Sequence, residues 1–170
     1  MNWLPVHART VALLTVSALL SSAPFLNAPL QAQAADSLEV IKARFVGHYE
    51  LVKYESYLAN GQTRDMDYVG RIMYDEHGNM SAIGMPRSLP TSVREDGAVP
   101  RGGFAYFGSV RFDLENGIIV HEVEGSPTRG TWVGEDNIRY FEFSDGLLTL
   151  SLKNAEGRTT GTLFWRKYEG

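Results

Sequence analysis

One histidine and one arginine fall on the apolar side of predicted strands, and these two residues have the clearest chemical potential. In the stretch Gly117–Gly125, GIIVHEVEG, every second residue places His121 beside Ile119 and Val123, because strand side chains alternate between two faces. The same alternation places Arg139 on the apolar side of a later strand. An imidazole can transfer a proton near neutral pH, and a guanidinium can orient a carboxylate, an enol or a carbonyl.

Two interpretations of this pair stay open. In the structural one, backbone carbonyls, a buried carboxylate or nearby polar groups satisfy His121 and Arg139, because a buried charge is costly when unpaired. In the functional one, both residues form a small polar cluster in an apolar ligand cavity, and they are the candidate catalytic residues if the protein is an enzyme. Glu124 has the opposite parity, so a dyad with His121 would require a bulge near Gly125.

Other site chemistries find little support. The chain has no cysteine and no G-x-S-x-G motif that would indicate a nucleophile. Its four histidines fall in separate segments, whereas a structural zinc site requires about four converging ligands. No glycine-rich phosphate loop opens a helix. We therefore expect no metal and no cofactor. The net charge of −4 with dispersed Lys and Arg argues against nucleic acid as the main partner.

Residues 1–34 have the features of a secretory signal peptide. Arg9 precedes the apolar run Thr10–Leu20, and Ala32–Ala34 supplies small residues in an A-x-A cleavage pattern. The run is shorter than the roughly 20 residues that a membrane span needs, although an anchor helix is the alternative. We expect cleavage to leave residues 35–170 as one periplasmic or secreted domain without an integral membrane segment.

The exported part of the chain is predicted to consist of a short helix followed by strands. The segment Asp36–Phe45 predicts a helix that begins at Asp36 and places Leu38, Ile41 and Phe45 on one face. Turn residues then separate eight runs rich in β-formers. The predicted strands are His48–Leu58, Tyr68–Tyr74, Asn79–Gly84, Phe104–Phe112, Ile118–Gly125, Asn137–Phe143, Leu147–Leu152 and Arg158–Tyr168.

Three hairpins can be given a register from their turn residues. Two-residue turns are predicted at Asn116–Gly117 and Asp145–Gly146, and a four-residue loop at NAEG. The resulting pairs are Phe112 with His121, Arg111 with Glu122, Phe143 with Leu148, Phe141 with Leu150, Arg139 with Leu152, and Leu148 with Leu163. All three hairpins then share one apolar side.

That apolar side predicts an all-β, eight-stranded antiparallel up-and-down barrel with a short N-terminal helix, because one short helix cannot cover the sheet. A two-sheet sandwich is the alternative. The segment Met85–Gly103 contains three prolines and is either a lid or a connector. The expected ligand-binding residues are Tyr106, Val110, Phe112, Phe141, Leu150, Leu163 and Trp165, with His121 and Arg139 as polar anchors.

Five blocks of the sequence resemble the bacterial and fungal lipocalin-like domain family. They are GHYELVKYE, GRIMYDEHGNMSA, AYFGSVRFD, HEVEGS and WVGEDNIRYFEF, in this order between about residues 45 and 168. The resemblance implies a calycin-type barrel that binds hydrophobic small molecules, or in a few members acts as a cyclase or isomerase. Tyr49 stands where the family has a tryptophan that a basic residue stacks upon. Arg166 or Lys167 could make this cation–π contact with Tyr49.

Three functions are compatible with the sequence. The first is binding of a small hydrophobic molecule in the barrel lumen. The second is a cofactor-free isomerase or cyclase in which His121 transfers a proton, a contribution of roughly 10²–10⁴-fold. The third is a filled barrel that binds a partner through its surface. The sequence favours binding over catalysis and does not identify the ligand or the oligomeric state.

Overall fold

A computed structural model describes residues 38–88 and 102–169. The predicted signal peptide, the helix start at Asp36 and most of the Met85–Gly103 segment lie outside the described residues. The described residues form one α-helix, α1 (Leu38–Phe45), and nine strands. The strands are β1 (Gly47–Tyr57), β2 (Thr63–Asp65), β3 (Tyr68–Tyr74), β4 (Asn79–Pro86), β5 (Phe104–Asp113), β6 (Ile118–Gly125), β7 (Asp136–Ser144), β8 (Leu147–Lys153) and β9 (Thr159–Lys167).

The strands close into an antiparallel barrel, as the sequence predicts. Each long strand pairs with the next along the chain, and β1 also pairs with β9, from Tyr49 opposite Lys167 to Ser56 opposite Gly161. The eight predicted strands correspond to β1 and β3–β9. Strand β2 was not predicted; it is a three-residue addition that pairs with the end of β1. Closure removes the exposed strand edges that an open sheet of this length would leave.

A bulge in β1 explains why that strand shows no regular alternation in the sequence. Tyr49 and Leu51 are buried, the pairing with β9 shifts between Leu51 and Lys53, and Val52 is 36% exposed. The extra residue reverses the parity of the strand, so that half-buried Tyr54 returns to the core side.

The predicted register of the β5–β6 hairpin is wrong by two residues. Phe112 faces Ile119, and His121 faces Val110, because the connection is the four-residue loop after Asp113. The Asp113 carboxylate accepts hydrogen bonds from the backbone N–H and the side-chain amide of Asn116, which stabilises this longer loop. A shift of two residues preserves the parity, so the apolar face is as predicted.

The predicted outward pair, Arg111 and Glu122, is not directly opposite in this hairpin, but the two side chains still interact diagonally. Arg111 faces Val120, yet its Nε lies 3.2 Å from a carboxylate oxygen of Glu122. Its second branch reaches Asp136 at 3.0 Å. These three side chains are exposed, so their contribution to stability is small.

The predicted register of the β7–β8 hairpin is confirmed for every pair that forms, whereas the predicted register of the β8–β9 hairpin is wrong. Phe141 faces Leu150 and Phe143 faces Leu148, as predicted, while Arg139 lies beyond the last pair of that ladder. In the last hairpin Leu148 faces Trp165 instead of Leu163, because the loop between Lys153 and Thr159 has five residues and the bulge between the Leu152 and Lys153 pairs adds one more. The displacement is again two residues, so the inward side chains remain inward.

Helix α1 packs into one end of the barrel through Phe45. The Phe45 ring is 1% exposed and makes edge contacts with the rings of Tyr74, Phe112, Phe141 and Phe143 at centroid distances of 5.0–5.2 Å. Ile41 is also buried, but Leu38 is 41% exposed, so the predicted apolar face is confirmed for Ile41 and Phe45 and is wrong for Leu38. Aromatic side chains therefore fill this end of the barrel.

Tyr49 links this helix to the barrel. Its single O–H is shared between the backbone oxygens of Arg44 (2.7 Å) and Phe45 (2.9 Å), which lie at the helix C-terminus. Lys167 Nζ lies 5.6 Å from the centre of the Tyr49 ring, so the expected cation–π contact is made by Lys167. Arg166 instead approaches Glu50.

Candidate functional site

His121 is buried between two tyrosines. It is 0% exposed, its Nε2 lies 2.9 Å from the hydroxyl of Tyr74, and its Nδ1 lies 2.9 Å from the hydroxyl of Tyr106. Strands β3, β5 and β6 supply these three side chains, all pointing to the barrel interior. Both ring nitrogens are therefore satisfied without a carboxylate, which agrees with the structural interpretation of His121.

Burial fixes the protonation states of this triplet. Desolvation lowers the pKa of His121 well below 6.5, and the charge of Arg139 acts in the same direction. Desolvation likewise raises the pKa of Tyr74 and of Tyr106 above 10.0, with Arg139 opposing the rise. All three groups are consequently neutral at physiological pH. They can pass a proton along hydrogen bonds, but they carry no charge for a ligand.

Glu124 does not join this triplet. The β5–β6 register shifts between the Phe107–Gly125 and Gly108–Val123 pairs, so Glu124 occupies the bulge and its side chain is exposed. The bulge that could have brought a carboxylate to His121 is present, but it turns Glu124 outward. Gly108 lies opposite this distortion, where a Cβ would be 1.9 Å from the backbone oxygen of Glu122.

The barrel contains a cavity of about 160 Å³ at the end away from α1. Its wall is mainly aromatic and aliphatic. The lining residues are Tyr54, Tyr68, Ile72, Gly102, Phe104, Tyr106, Arg129, Trp132, Arg139, Leu150, Leu152, Leu163 and Trp165. The rings contact one another: Tyr54 and Tyr68 meet edge-on at 5.2 Å, and Tyr106 and Trp132 at 5.5 Å.

Nine residues were predicted from the sequence to bind a ligand, and the structure places only some of them at the cavity. Five of them line the cavity: Tyr106, Arg139, Leu150, Leu163 and Trp165. Val110, Phe112 and Phe141 are not among its lining residues; they pack around the core, and Phe45 contacts the rings of Phe112 and Phe141. His121 contacts Tyr106 from behind the cavity wall. The nine side chains share one inner surface, but the helix occupies part of it.

Arg139 is the half-buried cation of the cavity. One of its terminal nitrogens donates to the backbone oxygen of Ile138 at 2.8 Å, and the guanidinium lies close enough to Tyr106 to stabilise the phenolate form of its hydroxyl. Arg129 also lines the cavity, with its guanidinium 5.0 Å from the ring centre of Trp132. Neither arginine takes part in an ion pair within residues 38–88 and 102–169.

Two buried polar nitrogens have no hydrogen-bond partner in the part of the chain that the structure describes: Trp165 Nε1 and Asn137 Nδ2. Trp165 lines the cavity, and Asn137 faces His121 across the β6–β7 ladder. A buried donor without an acceptor costs stability. Unused hydrogen-bonding capacity thus lies at or near the wall of the site.

Several residues of the site were not predicted from the sequence. Tyr74, the second partner of His121, and Tyr54, Tyr68 and Phe104 of the cavity wall received no assignment. The signal for Tyr68 and Tyr74 was present, because both share the parity of Ile72 in one predicted strand. Tyr54 could not be assigned to a face by parity, since the bulge at Val52 precedes it.

A larger concavity of about 800 Å³ lies on the outer surface of the barrel. Exposed Met73, Ile83, Phe107 and Tyr168 contribute to its lining, and it contains neither His121 nor Arg139. We regard the smaller interior cavity as the candidate site because apolar walls and converging polar groups are both present there.

A comparison with models of known families identifies the family of this chain. Residues 46–168 match the model of a family described as a lipocalin-like domain. No curated protein matches the chain. A solved lipocalin-like protein from Bacteroides uniformis is 20% identical with a TM-score of 0.43 over 73% of this chain and 98% of its own. An uncharacterized protein from Bacteroides eggerthii is 16% identical with a TM-score of 0.41, over 73% and 99%. Within the described ranges, no helix is long and apolar enough to cross a bilayer.

Proposed function

Because this chain belongs to the lipocalin-like domain family, we propose that its barrel binds a small hydrophobic molecule in the lumen. The observation that supports the proposal is the interior cavity of about 160 Å³ with largely apolar walls. A barrel that acted through its surface would be expected to fill this space with side chains. Here the filling by Phe45 and its neighbours is confined to the opposite end.

The size of the cavity limits the buried part of the ligand. An apolar cavity of about 150 Å³ holds one benzene molecule. The lumen should therefore enclose one ring or a short branched chain. The rings of Tyr54, Tyr68, Phe104 and Trp132 provide flat contact surfaces for such a group.

Calorimetric titration with toluene tests this proposal, because toluene matches the cavity in size and polarity. We expect saturable binding to the wild-type protein and none to Leu163→Trp, in which the indole would occupy the lumen. Leu147→Trp is the matched control, since Leu147 lies on the same barrel wall but does not line the cavity. An absence of toluene binding, or binding that survives Leu163→Trp in a folded protein, would contradict the proposal.

A second candidate function is a cofactor-free isomerase or cyclase. The observation that favours it is the hydrogen bond between His121 and Tyr106, since Tyr106 lines the cavity. Tyr106 could then donate a proton to an apolar substrate, Arg139 could stabilise a developing enolate oxygen, and His121 would position Tyr106. Once a substrate is known, turnover that survives the double substitution His121→Gln and Arg139→Gln would exclude these roles.

We further propose that the domain is exported after cleavage of residues 1–34. The support is the sequence pattern of Arg9, the apolar run Thr10–Leu20 and Ala32–Ala34. N-terminal sequencing of the protein from its own host, combined with cell fractionation, is expected to give a periplasmic or secreted chain that begins at Ala35. A chain retained in the cytoplasm with Met1 in place would contradict export.

A further inference from the structure

The polar groups that line the lumen are mainly donors and cations. Arg129 and Arg139 carry positive charge, and the remaining polar side chains are the phenol groups of three tyrosines and the indoles of two tryptophans. Within residues 38–88 and 102–169, the residues that line this cavity include no aspartate and no glutamate. An apolar cavity with this composition attracts a ligand that brings its own negative charge or hydrogen-bond acceptors.

Arg139 has unused donors beside the cavity. A guanidinium carries five N–H groups in a fixed planar arrangement, and one nitrogen of Arg139 is bonded to the Ile138 oxygen. Across residues 38–88 and 102–169 no carboxylate forms an ion pair with it. A half-buried guanidinium without a counter-ion can bind a carboxylate through two parallel hydrogen bonds, which is the strongest arrangement open to it.

The buried triplet orients the hydroxyl of Tyr106 as another donor. Tyr74 makes one hydrogen bond within the described part of the chain, to His121 Nε2, so its proton has an acceptor when Tyr74 donates to that nitrogen. Neutral His121 must then carry its proton on Nδ1 and donate it to the oxygen of Tyr106. Tyr106, which lines the cavity, thereby keeps its own O–H for a ligand. The opposite tautomer would leave the Tyr74 proton buried without an acceptor, at a cost.

We propose that the lumen selects a small aromatic carboxylate, with the carboxylate on Arg139 and the hydroxyl of Tyr106, and the ring against the aromatic wall. This assignment rests on the proposed lumen-binding function and adds the chemical class of its ligand. Arg129, stacked on Trp132 at the same cavity, adds positive potential. A neutral ring of equal size would fill the same space and give no charged acceptor to the Arg139 donors that are not bonded to the Ile138 oxygen.

Calorimetric titration with benzoate, benzamide and toluene at about pH 7.5 tests the assignment. The three probes have similar rings, and only benzoate is charged. We expect benzoate to bind tenfold or more tightly than benzamide and toluene, because hydrogen bonds to a charged group contribute about 1.5–3 kcal/mol, or roughly ten- to a hundredfold. Arg139→Gln should remove this preference and leave toluene binding within about twofold, which also shows that the variant is folded.

Two further variants separate the contribution of the Tyr106 hydroxyl from a general effect of the protein's net charge. Tyr106→Phe should weaken benzoate about tenfold and leave toluene unchanged, whereas Arg166→Gln, which removes an exposed arginine outside the cavity, should leave all three affinities unchanged. Toluene binding as tight as benzoate, or a benzoate preference that survives Arg139→Gln, would overturn the carboxylate assignment and leave lumen binding standing. Failure of toluene to bind would overturn lumen binding and, with it, the carboxylate assignment.

Discussion

Lowering the pH from about 6.5 to about 5 is expected to destabilise the folded protein through His121. Burial lowers the pKa of His121 well below 6.5 in the folded state, whereas the unfolded chain titrates near 6.5. In this window the unfolded state therefore binds more protons than the folded state, so the free energy of unfolding falls as the pH falls. Each pH unit changes it by at most about 1.4 kcal/mol for one such group, or about 2 kcal/mol over 1.5 units.

Urea denaturation at several pH values measures this change directly. His121→Gln should lower the free energy of unfolding at neutral pH, because it disturbs the bonds to Tyr74 and Tyr106, but it should remove most of the slope between pH 6.5 and 5. His48→Gln is the matched control: His48 is exposed, and its substitution should leave the slope as in the wild type. A flat wild-type profile, or a slope that persists in His121→Gln, would refute the assignment of a buried neutral imidazole.

Three substitutions test the packing around the site by the same denaturation measurement. Phe45→Ala should cost about 3–5 kcal/mol because it empties the plugged end of the barrel, whereas exposed Leu38→Ala should stay within about 0.5 kcal/mol. Gly108→Ala should cost about 1–3 kcal/mol, the penalty of overpacking, because its Cβ would lie 1.9 Å from a backbone oxygen. Gly130→Ala is the control and should be near neutral, because the space around Gly130 is open. Tyr49→Phe should cost about 1–3 kcal/mol by removing the donor to the helix C-terminus, and an unchanged midpoint would exclude that role.

Much of the barrel could be predicted because its information is local. Alternation along β6 placed His121 inward, Asp145–Gly146 set the β7–β8 register, and three hairpins agreed on one apolar face. The registers that failed were those of the β5–β6 and β8–β9 hairpins, where a longer loop or a bulge adds residues. Both errors were of two residues, and parity survives such an error, so the residues on the inner face were still identified.

The hydrogen-bond partners of His121 inside the barrel could not be predicted from the sequence. Tyr74 and Tyr106 approach His121 from two other strands, and Tyr74 is 47 residues away in the chain. Local spacing carries no information about such a contact when the register of each intervening hairpin is uncertain. The bulge at Val52 had the same effect on Tyr54, because one extra residue reverses the parity of everything that follows.

The sequence by itself determined the strand pattern, the inward positions of His121 and Arg139, and the apolar character of the inner face, since these follow from side-chain alternation. Tertiary structure alone decided how that inner face is divided. Phe45 of the helix fills one end, so that Phe112 and Phe141 become core, while Arg139 and Trp165 line the remaining space. The physical reason is that a cavity is the volume left over after all elements have packed, and no single strand specifies it.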